Sequence, residues 1–98
     1  DGLMAAAERI GARLRDAFRA ALAGSPGLVE IRGQGLMIGI ELDRPCGELV
    51  AKALAAGLLI NVTADKVVRL LPSLVFGEAE ADELVLRLAP LIKDFLGA

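Results

Sequence analysis

The chain has 98 residues, of which 55% are hydrophobic and only 3% aromatic, and its formal net charge is −2. This length allows one domain with an aliphatic core, and the scattered basic residues disfavour nucleic-acid binding. One cysteine and no histidine exclude an internal disulfide, a zinc cluster and a histidine-based catalytic triad.

The apolar content is high for so small a domain. Surplus aliphatic surface usually marks an interface, so we expect a partner or a further part of the protein to cover some of it. No apolar run approaches the roughly 20 residues that a membrane helix needs. We therefore expect no membrane contact and a cytoplasmic location.

The first part of the chain predicts a helix followed by two strands. Apolar residues recur at helical spacing over residues 3–22, where Leu3 and Ala7 begin the stripe. This helix is expected to end at Gly24-Ser25-Pro26-Gly27. Alternation over 29–32 and 36–42 then predicts two strands joined at Gly33-Gln34-Gly35.

The next segment predicts a short helix and two more strands. Asp43 or Arg44 is expected to precede the helix, with Pro45 in its first turn. Apolar runs at 58–62 and 66–71 predict two strands on either side of a short connection.

A final helix is predicted to open with Glu78 and its acidic neighbours, which suit the positive end of the helix dipole. Pro90 is expected to bend or break this helix near Ala89, because proline lacks an amide donor. The resulting order is α-β-β-α-β-β-α. It predicts an α+β fold over residues 1–98 as a single domain, with a small, largely antiparallel four-stranded sheet and helices packed on one face.

Two apparent motifs are better explained by structure than by chemistry. Gly33, Gly35 and Gly39 do not have dinucleotide-loop spacing and lie between strands, so we expect Gly33 and Gly35 to supply turn conformations and Gly39 to permit a close approach. Cys46 lies near a predicted helix start, but no histidine can serve as its base. We interpret it as a small structural residue.

Arg69 is the candidate binding residue. It lies among aliphatic residues in a predicted strand, where alternation places it on one face with Val67 and Leu71. Its side chain could reach water or form a structural salt bridge. Alternatively, its planar guanidinium could receive a substrate carboxylate.

Three segments together resemble a known family. The sequences RGQGLMIGIEL at 32–42, AGLLIN at 56–61 and VRLLP at 68–72 are similar in order and spacing to acetylornithine aminotransferases, which are class-III, fold-type-I transaminases. The resemblance implies the C-terminal small domain of an enzyme that uses pyridoxal 5′-phosphate. It also implies a large domain that carries the cofactor lysine, a homodimer, and amino-acid and keto-acid substrates.

By the same resemblance, Arg69 takes the position of the family arginine that pairs with the α-carboxylate of glutamate or 2-oxoglutarate. The implied reaction transfers an amino group between N-acetylornithine and 2-oxoglutarate, in arginine biosynthesis. One departure is Ser73, where the family usually has a second proline after Pro72; we expect a more flexible loop.

Neither a catalytic nor a cofactor-binding residue is expected in this chain. Lys52, Lys66 and Lys93 show no pocket signature that would activate a Schiff-base lysine, so the chain alone is predicted to be inactive. Ornithine, succinylornithine and 4-aminobutyrate aminotransferases remain alternatives. A stand-alone, non-catalytic α+β module is another.

Overall fold

The computed structural model describes residues 2–34, 37–58, 60–70 and 77–97. Its helices and strands, in chain order, are α1 (Gly2–Ala21), β1 (Leu28–Gln34), β2 (Met37–Leu42), α2 (Glu48–Ala55), β3 (Ile60–Thr63), β4 (Val67–Leu70) and α3 (Glu78–Leu96). The predicted α-β-β-α-β-β-α order is confirmed.

The four strands form one sheet in the order β1-β2-β4-β3, and every neighbouring pair is antiparallel. Two hairpins therefore lie side by side, with β2 and β4 in the centre. Thr63 of β3 pairs with Val67 of β4 across the connection Ala64-Asp65-Lys66. Ala64 and Asp65 adopt positive φ values of 50° and 65°, which the tight chain reversal requires. The Lys66 carbonyl accepts a 2.8 Å hydrogen bond from the Leu42 amide.

The two faces of the sheet differ in character. Side chains on one face are buried against the helices and include Ile31, Ile38, Ile40, Ile60, Val68 and Leu70. The other face carries mostly polar side chains, and among the described elements no helix covers it. We call this second side the open face. The α+β fold with helices packed on one side of a four-stranded sheet is thus confirmed.

Within the described part of the chain, the core is one cluster of aliphatic side chains together with Phe18 and Cys46. Phe18 of α1, Leu49 of α2 and Leu88 of α3 are fully buried in it. Among the described residues, no polar or charged side chain is buried. None of the helices in the described ranges has both the length and the apolar composition needed to cross a membrane.

The helix α2 begins later than its sequence predicts. It starts at Glu48 after Gly47, so Pro45 lies outside it and neither Asp43 nor Arg44 caps it. Long-range hydrogen bonds explain the delay: the Asp43 amide donates to the Gly27 carbonyl at 2.9 Å and the Cys46 amide to the Asp65 carbonyl at 2.8 Å. These tertiary bonds hold the segment outside the helix.

The third strand is also displaced along the chain. Gly57 adopts a positive φ of 84°, and the Leu58 amide donates to the Ala53 carbonyl at 2.8 Å. This geometry is a glycine-based helix terminus. Leu58 consequently takes part in the hydrogen bonding that terminates α2, and β3 begins only at Ile60.

The predicted break at Pro90 is wrong, because α3 continues through this residue to Leu96. Leu88, Ala89 and Ile92 on both sides of the proline are buried in the core, whereas Pro90 is exposed. Packing of the apolar face holds the helix together at the cost of one missing backbone hydrogen bond. A bend at Pro90 stays a prediction.

Some sequence predictions fall outside the described residues. These are the predicted turn position at Gly35, the face of Leu71, the loop containing Pro72 and Ser73, and the side chains of Leu3 and Ala7.

Candidate functional site

Arg69 lies at the centre of the open face. It is on the inner strand β4, where it pairs with Gly39 of β2 on one side and Asn61 of β3 on the other. Its side chain is exposed, as expected for a residue that alternates with the buried Val68 and Leu70. Two hydrogen-bonded ladders therefore fix the position of its backbone.

An open cavity of about 520 Å³ lies beside Arg69. The residues that contribute side chains to its wall include Arg32, Gln34, Met37, Thr63, Val67 and Arg69. Gly39 lies between the two arginines in the sheet and contributes no side chain. A Cβ atom added there would lie 3.2 Å from Val67 Cγ1. The absence of a side chain at Gly39 therefore leaves space between the two arginines.

The two arginines of the cavity differ in their partners. Arg32 Nη1 donates to Glu41 Oε1 at 2.7 Å and to Glu30 Oε2 at 3.0 Å. These hydrogen bonds, above all the one to Glu41, raise the pKa of Arg32 above its ordinary value. The guanidinium of Arg69, by contrast, has no ion-pair or hydrogen-bond partner within the described ranges.

Arg69 is thus the cation in this cavity that is available to an external anion. Its planar guanidinium can receive both oxygens of a carboxylate in parallel hydrogen bonds. The structure places Arg69 and Val67 on the same face, as the alternation predicts. Arg32, Glu30 and Glu41 were missed as members of this site, although strand alternation already puts Glu30 and Arg32 on one face.

Cys46 is not part of this site. Its side chain is fully buried in the core between β2 and α2. Burial raises the pKa of its thiol, and the nearby Asp65 carboxylate acts in the same direction. A buried thiol with a raised pKa is a poor nucleophile, which confirms the structural interpretation of Cys46.

The role predicted for Gly33 is wrong. This residue lies within β1 and does not have a positive φ. A Cβ atom there would collide with the Met37 carbonyl oxygen, so glycine is needed for the close approach of two backbones rather than for a turn conformation.

Comparison with known proteins identifies the family. Residues 1–92 match the family Aminotransferase class-III. The chain is 58% identical over 96 residues to acetylornithine aminotransferase 1 of Bordetella bronchiseptica and 48% identical to acetylornithine aminotransferase of Nitrosomonas europaea. Each match covers 98% of this chain and 24% of the relative, so the chain spans about a quarter of their length.

Solved structures agree with these sequence relatives. The N-acetylornithine aminotransferase of Stenotrophomonas maltophilia superimposes with a TM-score of 0.81 at 31% identity, over 95% of this chain and 27% of that one. The ornithine δ-aminotransferase of Plasmodium falciparum gives a TM-score of 0.82 at 28% identity, over 93% of this chain and 24% of that one. The shared fold and the sequence match over nearly the whole chain show that it belongs to the class-III aminotransferases.

Proposed function

We propose that this chain is the C-terminal small domain of an aminotransferase that moves an amino group between N-acetylornithine and 2-oxoglutarate, and that Arg69 binds the α-carboxylate of glutamate or 2-oxoglutarate. The observation that carries the proposal is a guanidinium on an inner strand, beside an open cavity, that has no side-chain partner among the described residues. The names of the relatives at 58% and 48% identity support the choice of donor.

The lysines of the described chain do not fit the role of cofactor lysine. Lys52 is exposed and pairs with Glu48 at 3.4 Å. Lys66 is exposed in the β3–β4 connection, and Lys93 lies on a surface groove between α1 and α3. A Schiff-base lysine needs a desolvated or cationic setting. We therefore place pyridoxal 5′-phosphate and its lysine in a large domain outside this chain, and propose that this chain alone is inactive.

The proposal extends to the setting of the whole enzyme. We infer a cytoplasmic homodimer that functions in arginine biosynthesis, with the large domain of the same enzyme as the immediate partner of this chain. The relatives' names support the place in arginine biosynthesis, and the family membership supports the large domain as a partner.

Ornithine is the rival amino donor. The fold matches an ornithine δ-aminotransferase as well as an acetylornithine aminotransferase, with TM-scores of 0.82 and 0.81. Arg69 would bind the keto acid common to both reactions, so it cannot distinguish the two donors. Steady-state rates of the full-length enzyme with N-acetylornithine and ornithine would decide between them.

Replacement of Arg69 tests the proposed site in the full-length enzyme. Arg69→Ala is expected to lower kcat/KM for glutamate half-transamination by about 1.5 to 3.5 powers of ten, the loss typical of removing one partner of a desolvated charge pair. Arg69→Lys should also be impaired, because an ammonium group keeps the charge but lacks the planar fork.

The matched control is Arg9→Ala, which removes an exposed arginine on α1 that pairs with Glu78 at 3.5 Å. It should leave glutamate turnover unchanged. The cofactor spectrum and melting temperature are recorded for every variant. If both Arg69 variants fold, load cofactor and process glutamate within about threefold of wild type, a change below about 0.7 kcal/mol, Arg69 is a structural residue.

A further inference from the structure

A second arginine lies next to the proposed carboxylate receptor. Arg32 of β1, Gly39 of β2 and Arg69 of β4 occupy one row across the sheet. Two strand spacings separate the arginines, about 10 Å between backbones, which is less than the combined reach of two extended arginine side chains. Gly39 places no side chain between them. Both arginines also line the same cavity.

Two carboxylates hold Arg32 toward the neighbouring row. Glu30 and Glu41 are directly opposite each other on β1 and β2, an arrangement in which like charges repel. Arg32 Nη1 bridges them, at 3.0 Å from Glu30 and 2.7 Å from Glu41. A movement of Arg32 toward Arg69 would break both bonds and leave the two carboxylates facing each other. Glu30 and Glu41 therefore hold the Arg32 side chain away from Arg69.

We propose that Glu41, assisted by Glu30, is a specificity-determining residue that keeps Arg32 from joining Arg69 around one anion. With Arg32 held, the cavity offers one free guanidinium and suits a single carboxylate group. With Arg32 released, the cavity would offer two guanidinium groups and favour a compact dianion. The inference rests on the proposed function of Arg69 and would make this site favour a single carboxylate group over a compact dianion such as sulfate.

The test compares sulfate with propionate as inhibitors competing with glutamate in the cofactor-loaded, full-length enzyme, at constant ionic strength. Glu41→Gln is expected to lower the inhibition constant of sulfate by about three- to fivefold, the range of one added ion pair at a partly exposed site. Glu30→Gln/Glu41→Gln should lower it at least as far. The constant for propionate should change by less than about twofold.

Two further variants isolate the role of Arg32. The triple variant that adds Arg32→Gln to Glu30→Gln and Glu41→Gln should return the inhibition constant of sulfate to the wild-type value. Glu83→Gln is the matched control, because it breaks an arginine–glutamate pair of 3.0 Å with Arg87 on α3, away from this cavity. It should leave both constants unchanged.

The inference is overturned if the sulfate constant stays within about 1.5-fold of wild type in folded Glu41→Gln and in the double variant. It is also overturned if Arg32→Gln alone weakens sulfate inhibition, since Arg32 would then bind anions while Glu41 is present. These results are separate from the Arg69 test. Normal glutamate turnover in Arg69→Ala rejects the proposed function, whereas impaired turnover with an unmoved sulfate constant rejects only the role of Glu41.

Discussion

Two glycines of the first hairpin are needed to different degrees. A Cβ atom on Gly33 would collide with the Met37 carbonyl oxygen and come within 3.0 Å of Ile38 Cα, both backbone atoms. A Cβ atom on Gly39 would meet one atom, a methyl of Val67 at 3.2 Å. Backbone must move in the first case, whereas a small shift of one side chain suffices in the second.

Alanine substitution should separate the two positions. Gly33→Ala is expected to lower the local free energy of unfolding of β1 and β2 by about 1–3 kcal/mol, the usual cost of overpacking. Gly39→Ala should change it by less than about 1 kcal/mol, because the steric cost is offset by the reduced freedom of the unfolded chain. Native-state hydrogen exchange of the strand amides in the full-length enzyme measures both. Equal losses of protection would show that Gly33 has no special role.

The sequence predicts the face on which Arg69 lies, but it does not predict the contacts of Arg32. A lone arginine inside the aliphatic run at 67–71 is visible in the sequence, and alternation alone gives its face. The role of Arg32 depends on which residue of β2 lies opposite Glu30. That pairing belongs to the register that runs without interruption from the Gln34–Met37 pair to the Glu30–Glu41 pair. The turn predicted at Gly33-Gln34-Gly35 gives a different register, whereas Gly33 and Gln34 lie within β1.

At the scale of elements, the N-terminal part of α3 is tied to α1 by a two-pronged ion pair. Arg13 Nε and Nη2 each donate to a carboxylate oxygen of Asp82 at 2.9 Å, and Arg13 Nη1 lies 3.7 Å from Glu78. The hydrogen bonds from Arg13 lower the pKa of the Asp82 carboxyl below its ordinary value. The pair connects two helices that also share the apolar core.

This ion pair should make helix docking sensitive to acid. Because the folded state lowers the pKa of Asp82, its contribution is fully present above the unfolded value of about 3.9 and is lost as pH falls through the lower folded value. Arg13→Gln should therefore reduce hydrogen-exchange protection of the α1 and α3 amides at pH 6. The difference from wild type should shrink below about pH 4.

The control for this test is Lys52→Gln, which removes an exposed pair with Glu48 within α2 at 3.4 Å. Its effect on α3 should be negligible. A carboxyl-carbon NMR titration gives the direct measurement: Asp82 should titrate below its ordinary pKa in wild type and return toward it in Arg13→Gln. An unchanged Asp82 titration in Arg13→Gln would contradict the prediction.

Element types could be predicted from sequence more reliably than element ends. The periodicity of residues 3–22 and of the last helix was sufficient, because long amphipathic stripes have few alternatives. The start of α2 and the start of β3 could not be predicted. The start of α2 depends on hydrogen bonds to distant backbone, from Cys46 to Asp65 and from Asp43 to Gly27, which local sequence does not reveal. The start of β3 is delayed by the helix terminus at Gly57, where the Leu58 amide donates to the Ala53 carbonyl.

At the scale of the whole molecule, apolar side chains remain on the surface. Among the residues that the structure describes, five large ones are exposed: Val29, Met37, Val50, Leu54 and Leu86. Met37 lies on the open face, and Val50 and Leu54 lie one turn apart on α2. This distribution agrees with a domain that is partly covered in the full-length enzyme.

The isolated 98-residue chain is expected to self-associate with rising concentration, because contact between copies would cover these side chains. Light scattering and hydrophobic-dye binding measure this directly. Replacing Leu54 and Leu86, which are 61% and 70% exposed, by glutamine should reduce both signals. A chain that stays monomeric at high concentration and binds no dye would count against a covered surface.

The connection between the two strands of the second hairpin has a consequence for the site. Three residues join Thr63 to Val67, and side chains alternate between faces along β4. A slip of β4 by one residue would turn Arg69 toward the apolar layer and bring Val68 or Leu70 to the cavity. The proposed role of Arg69 would thus depend on parity, because insertions or deletions that move β4 along its neighbours keep Arg69 on the open face only in steps of two residues.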